Sequence, residues 1–211
     1  MITPVEPQGL FATPLWTIRE LPRIQEALPR IAAAVEADVA AGVIGSKHNR
    51  SNALGVQSKR VPLAQSPYLG AAERQELLAA FAWTARLAPG FRITTWVNCN
   101  WGQSLNRAHV HPGAELSGVL YVQVPEGAGA LVFHDPRPQA EMSLLGRRLI
   151  RPVAGLCSRH VVQPEAGSLL LFPSWLLHGV EQGSNHHQLR IAISFDVAGL
   201  VGLPLQRAAS S

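Results

Sequence analysis

The segment RAHVHPGAELSG, residues 107–118, places His109 and His111 one residue apart, directly ahead of a strand-like run. An extended backbone repeats every two residues, so both imidazoles would leave the chain on one side. That is how a chain chelates. Two neighbouring histidines among the eight present also suit a polar loop, so a metal site needs ligands from elsewhere. The segment PEAGSLLLFPSWLLHGVEQG, residues 164–183, offers one. A glycine turn leads into a continuous apolar strand, Pro173 and Trp175 mark a bend, and His178 follows at the mouth of a sheet rather than on its outer edge. Three imidazoles with coordination positions left open suit Fe(II), with Mn, Co, Ni, Cu and Zn as competitors. Such a site is catalytic in type, because a structural site normally closes with four protein ligands.

The last strand-like run, LRIAISFDV, sorts into two faces. Leu189, Ile191, Ile193, Phe195 and Val197 form an apolar face, and Arg190, Ala192, Ser194 and Asp196 form the other. The second face suits a cationic anchor pointing into a cavity kept open by small residues. An ordinary half-buried strand with Arg190 in solvent fits the same pattern.

The rest of the chain must position these groups. A length of 211 residues fits one domain, 1–211, with a core that needs no disulfides or structural zinc. Hydrophobic residues make up 47% and charged residues 15%, and no apolar run approaches a bilayer span, so a soluble protein is expected. The proline-containing start MITPVEPQGLFATPLW does not read as a signal peptide, and Cys99 and Cys157 form no C-x-x-C pair. A cytoplasmic location is the simplest expectation. The formal charge is +4, but Arg137, Arg147, Arg148 and Arg151 are scattered without interleaved aromatics. A solvated positive face explains them better than nucleic-acid binding.

Residues 1–90 read as helical support and loop. In LPRIQEALPRIAAAVEADVAAG, Ile24, Leu28, Ile31, Val35 and Val39 recur at helical spacing, with Pro29 expected to split the helix and Gly42 to end it. A second helix is expected in AAERQELLAAFAWTARLAPG. Between them, residues 43–70 show no sustained period and read as a long loop or flap with at most one short strand. Residues 91–200 change character. The runs FRITTWVNCN, LSGVLYVQV, ALVFHD, RRLIRPV, RHVVQP, GSLLLFP, LHGVEQ and LRIAISFDV alternate with turn residues, which predicts an antiparallel sandwich, jelly roll or barrel.

Together, GQSLNRAHVHPGAELSGVLYVQVPEGAGALVFHDPR and VVQPEAGSLLLFPSWLLHGVEQGSNHHQLRIAISFDV resemble a bacterial family of 2-oxoglutarate- and Fe(II)-dependent oxygenases, as do the SNALGVQS loop and the LFATPLW start. More distantly, the order of motifs is similar to prolyl-hydroxylase-like enzymes. The resemblance implies an α+β, mainly β protein: a double-stranded β-helix (jelly-roll, cupin-like) core with N-terminal helices packed outside. It implies a mononuclear Fe(II) centre, 2-oxoglutarate as co-substrate, dioxygen, and a small-molecule or peptide substrate hydroxylated at a C–H bond. His109 and His178 match the histidine ligands, and Arg190, twelve residues beyond His178, matches the basic residue that pairs with the distal carboxylate of 2-oxoglutarate. Tyr121 and Ser194 lie where hydroxyls could assist that clamp, or are simply packed residues. The 43–70 loop is the candidate lid, and a homodimer is left open.

One departure from the wider superfamily matters. It uses two histidines and a carboxylate, whereas the residue two after His109 is His111, which leaves the centre one unit more positive. Either the site has three histidines, or Glu115 supplies the third ligand in the manner of the cupin pattern of H-x-H followed by E. A cupin-like metalloenzyme that does not use 2-oxoglutarate and a non-catalytic jelly-roll binding module are the alternatives. Asn98 and Asn100 alternate with Trp96 on a strand leading to the site and suit substrate orientation or backbone bonding. His134, with Asp135 and Arg137, is a candidate for the cavity rim. His186 and His187 read as turn residues, and His48 and His160 join no constellation.

Overall fold

The computed structural model describes residues 12–84, 90–137 and 158–199. Two antiparallel sheets face each other. The larger has seven strands: β1 (Trp16–Ile18), β10 (Leu169–Pro173), β7 (Leu116–Gln123), β12 (Arg190–Ala198), β5 (Arg92–Asn100) and β3 (Val56–Gln57) in that order, with β4 (Val61–Pro62) also paired to β5. The smaller runs β2 (Asn52–Ala53), β6 (Leu105–His109), β11 (His178–Val180), β8 (Leu131–His134) and β9 (Arg159–Val162). This is the jelly-roll core, with the helices α1 (Pro22–Ala40) and α2 (Ala71–Thr84) on the outer face of the large sheet.

Strand alternation divides the interior into two cores. Ile191, Ile193, Phe195 and Val197 of β12 pack with Ile24, Ile31 and Val35 of α1 and Leu77 and Phe81 of α2. The Phe81 and Phe195 rings meet edge to face, 5.5 Å between centroids. On the other side of the same sheet, Val119, Tyr121, Phe172 and Ala192 pack with Leu131 and Phe133 of the small sheet. The apolar face predicted for the last strand is the helix-side core, and the opposite face looks between the sheets.

Helix α1 runs unbroken through Pro29, contrary to the expected split, and ends at Gly42, which adopts φ +71°. Proline removes one backbone hydrogen bond, but Ile24, Ala27, Ile31 and Val35 are buried on both sides of it, and that packing keeps the segment helical. The carboxylate of Glu76 on α2 accepts from the backbone N–H groups of Arg23 and Ile24, 3.2 and 2.8 Å, satisfying donors that a helix start leaves free. The 43–70 region is more ordered than a loop, since it contributes β2, β3 and β4 to both sheets. Residues 1–90 thus add four strands to the core as well as the helices. The strand expected in RRLIRPV, together with Arg147, Arg148, Arg151 and Cys157, lies outside the described residues.

Candidate active site

Strands β6 and β11 pair so that His109 and His178 sit directly opposite each other. The next residue, Gly179, is what permits it: a side chain there would lie 2.7 Å from the Asn106 carbonyl oxygen on β6. His111 follows two residues beyond His109, where its backbone N–H bonds to the Ser174 carbonyl at 2.9 Å. The ligand nitrogens of His109, His111 and His178 all lie within 4.8 Å of one another, and among the described residues these three form the only such group of potential metal ligands.

Each imidazole is oriented by its Nδ1. That of His109 donates to the Arg107 carbonyl at 2.7 Å, that of His178 to the Leu176 carbonyl at 2.8 Å, and that of His111 to Asp196 Oδ1 at 2.5 Å. The acceptors are two carbonyls and a carboxylate, so Nδ1 carries a proton in all three rings and Nε2 is the atom left for a metal. Nε2 of His109 and Nε2 of His111 stand 3.1 Å apart, a separation that a shared proton or a metal ion bridges. Two nitrogens about 2.1 Å from one metal ion at a right angle would be about 3 Å apart, the spacing seen here. The donor set therefore fits a divalent metal. Burial, opposed by the Leu176 hydrogen bond, pushes the His178 pKa down to about 3, and His109 is lowered first by the same cause. Both rings are held neutral, the form that binds metal.

Asp196 was not singled out from sequence, and it has a central place. It is 9% exposed and accepts from His111 Nδ1 and the Ser117 hydroxyl (3.0 Å) on Oδ1, and from Arg60 Nη1 (2.8 Å) on Oδ2. Burial acts to raise its pKa, but the hydrogen bond and charge of His111, then Arg60, then Ser117, hold it below the usual carboxylate range. Glu115, the alternative third ligand, is not in the histidine group and does not line the cavity. Between it and His111 the chain turns through Gly113 at φ +85°, and the Glu115 backbone is then tied to Val197 and Ser174.

The histidines line one side of a cavity of about 370 Å³ between the sheets. All four residues of the second face of β12, Arg190, Ala192, Ser194 and Asp196, line it as well. Arg190 is 3% exposed, so it is not a solvated strand residue. Its guanidinium carbon lies 5.1 Å from the centre of the Tyr121 ring, and it forms no salt bridge with a described residue. Neither Arg190 Nε nor the buried Tyr121 hydroxyl has a hydrogen-bond partner of normal geometry. Burial lowers the Arg190 pKa, with Tyr121 acting the other way. A buried guanidinium without a counter-ion is costly, and a carboxylate-bearing ligand is the chemistry it lacks.

Ser194 Oγ accepts from Asn98 Nδ2 at 2.9 Å, and Asn100 Nδ2 donates to Asn106 Oδ1 at 3.2 Å. Asn98 lines the cavity with its Oδ1 buried and unbonded. Asp135 is bound to Arg137 rather than to the site, and His134 is not among the lining residues. The turn histidines 186 and 187 are exposed, and His160 is exposed on β9.

A jelly roll with convergent imidazoles at its mouth and a buried guanidinium in the same cavity is the arrangement that a mononuclear metal-dependent oxygenase would use. Residues 94–196, just under half of the chain, match the model of the family described as "Putative 2OG-Fe(II) oxygenase", a family of oxidoreductases that use Fe(II) and 2-oxoglutarate. No curated protein matches the chain. Among solved structures, a prolyl-4-hydroxylase of Pseudomonas putida is similar, with a TM-score of 0.59 at 16% identity, covering 88% of this chain and 92% of that one. AviO1 from Streptomyces viridochromogenes Tue57 gives 0.58 at 13% identity, covering 91% and 92%. The non-heme alpha ketoglutarate dependent carbocyclase SnoK gives 0.56 at 14% identity, covering 88% and 79%. At these identities the likeness is one of fold, the double-stranded β-helix. Among the described residues no helix is long and apolar enough to cross a membrane.

Proposed function

We propose that this chain is a dioxygenase in which His109, His111 and His178 hold Fe(II), and Arg190 anchors the distal carboxylate of 2-oxoglutarate. The observation that carries it is the convergence of three Nε2 atoms in rings whose Nδ1 atoms are already committed to other acceptors. When bound, Fe(II) and 2-oxoglutarate supply the dioxygen-activating chemistry that oxidises a C–H bond of a small-molecule or peptide substrate.

The chain's own residues do three things. The Arg107 and Leu176 carbonyls and the Asp196 carboxylate fix the tautomer and plane of the imidazoles, so that no reorientation is needed when metal enters. Arg190 offers a bidentate fork at the buried end of the cavity, backed by the Tyr121 ring, which does not itself line the cavity. Ser194 keeps its own proton available, because its oxygen is the acceptor toward Asn98. The apolar wall of Val119, Leu131 and Phe172 excludes water from the space between these two stations.

Anaerobic addition of Fe(II) and 2-oxoglutarate tests the assignment through the visible metal-to-ligand charge-transfer band. The band is expected in the wild type and absent in Arg190→Ala at the same co-substrate concentration. Bound iron with no band in the wild type contradicts the co-substrate assignment and favours a cupin-like metalloenzyme.

A further inference from the structure

The cavity is charged well beyond what its co-substrate needs. Arg50, Arg60, Arg107 and Arg190 line it, against a single carboxylate, Asp196. That leaves a surplus of three positive charges in one cleft, in a chain whose whole formal charge is +4. Fe(II) brings two positive charges and 2-oxoglutarate two negative ones, so the surplus survives loading of the site. The three histidines do not offset it either, since an imidazole that binds metal carries no negative charge.

The four guanidiniums are graded in depth. Arg190 is fully enclosed, Arg60 has a side chain 32% exposed, and Arg50 and Arg107 are open to solvent. Arg60 is held rigidly: Nη1 is on Asp196, and its guanidinium carbon lies 3.7 Å above the Trp96 ring. Its Nε has no partner. Burial lowers the Arg60 pKa, Asp196 raises it, and the nearby charge of Arg50 lowers it again, so the two guanidiniums are close enough to repel. Among the described residues the side chains of Arg50 and Arg107 make no salt bridge or hydrogen bond. Like charges in excess of their counter-ions around one opening raise the local concentration of an anion and discriminate against cations.

We propose that the substrate of this enzyme carries an anionic group, a carboxylate or a phosphate, which docks on Arg50, Arg60 and Arg107 at the mouth while Arg190 keeps the co-substrate. The proposal rests on the 2-oxoglutarate and Fe(II) assignment of the same cavity. It gives the substitution at His111 a consequence for specificity: a ligand carboxylate there would have removed one of the charges that select the substrate.

Calorimetric titration of the full chain, loaded anaerobically with Fe(II) and saturating 2-oxoglutarate, tests it with three probes. Benzoate presents a carboxylate, phenyl phosphate a phosphate, and benzamide is the neutral counterpart of benzoate. At least one anion is expected to bind about tenfold or more tighter than benzamide, with the tighter of the two identifying the group. The double variant Arg50→Gln/Arg107→Gln, which breaks no salt bridge or side-chain hydrogen bond among the described residues and keeps the Arg107 carbonyl that orients His109, is expected to remove most of that preference while leaving the charge-transfer band intact. If the band forms and the anions bind no better than benzamide, or the double variant keeps the full preference, the substrate inference is overturned by itself. If the band never forms, the co-substrate assignment falls, and this inference falls with it.

Discussion

The two ends of the cavity treat buried polar groups in opposite ways. At the metal end every imidazole Nδ1 has an acceptor inside the protein, and the Asp196 carboxylate behind His111 is itself surrounded by donors. At the other end Arg190 Nε and the Tyr121 hydroxyl are buried without a hydrogen-bond partner of normal geometry among the described residues. The first end is finished by the chain; under the proposed function the second is finished by the co-substrate. The difference shows where the fold stores binding energy: the metal ligands are preorganised, whereas an unpaired guanidinium destabilises the empty protein until a carboxylate arrives.

The largest effect that would break this contrast is at Arg190. Arg190→Met should weaken 2-oxoglutarate binding by about two orders of magnitude or more, because the carboxylate loses its only buried cation. Because it removes an uncompensated buried charge, it should also raise the melting temperature of the ligand-free chain. A lower melting temperature would mean that Arg190 is satisfied in the empty state. At the metal end the expectation is reversed. Asp196→Asn leaves a group of the same shape without its charge, and should cut metal affinity about 10–100-fold. It should also lower the melting temperature, since Arg60 and His111 both lose a charged partner. Competition with a chelator measures the first and calorimetry the second.

The smallest effect is one of pH. The folded His178 pKa of about 3 lies below its ordinary value of 6.5, so between these values the unfolded chain binds the proton and the folded chain does not. The His178 contribution to the stability of the metal-free protein should therefore be lost as pH drops from 6.5 toward 3, and change no further below. His178→Gln should flatten part of that slope in a series of melting temperatures. An unchanged slope would place the pH sensitivity elsewhere.

What the sequence disclosed and what it withheld follow from the same periodicity. The two faces of LRIAISFDV were legible because a nine-residue strand shows its alternation, and the structure divides them between helix-side core and cavity. Asp196 stood on the cavity face in plain view, but its role depends on His111, 85 residues away, and no local pattern carries that contact. Strand β6 went unread because Leu105–His109 is polar: its side chains face a cavity, so the apolar signal of a core strand is missing. Arg60 was hidden for a different reason. The strands flanking it, β3 and β4, are two residues long each, too short to alternate, and their pairing with β5 is what brings the segment to the site. The helix through Pro29 shows tertiary packing overruling a local breaker.

The central claim is a ligand set of three imidazoles, with the compensating carboxylate one bond further out. A crystal structure of the chain loaded anaerobically with Fe(II), with the ion located by its anomalous scattering, tests this most directly. The account predicts iron bound by Nε2 of His109, His111 and His178, with Asp196 still on His111 Nδ1. Iron bound by a carboxylate oxygen of Glu115 or Asp196 in place of His111 would contradict it.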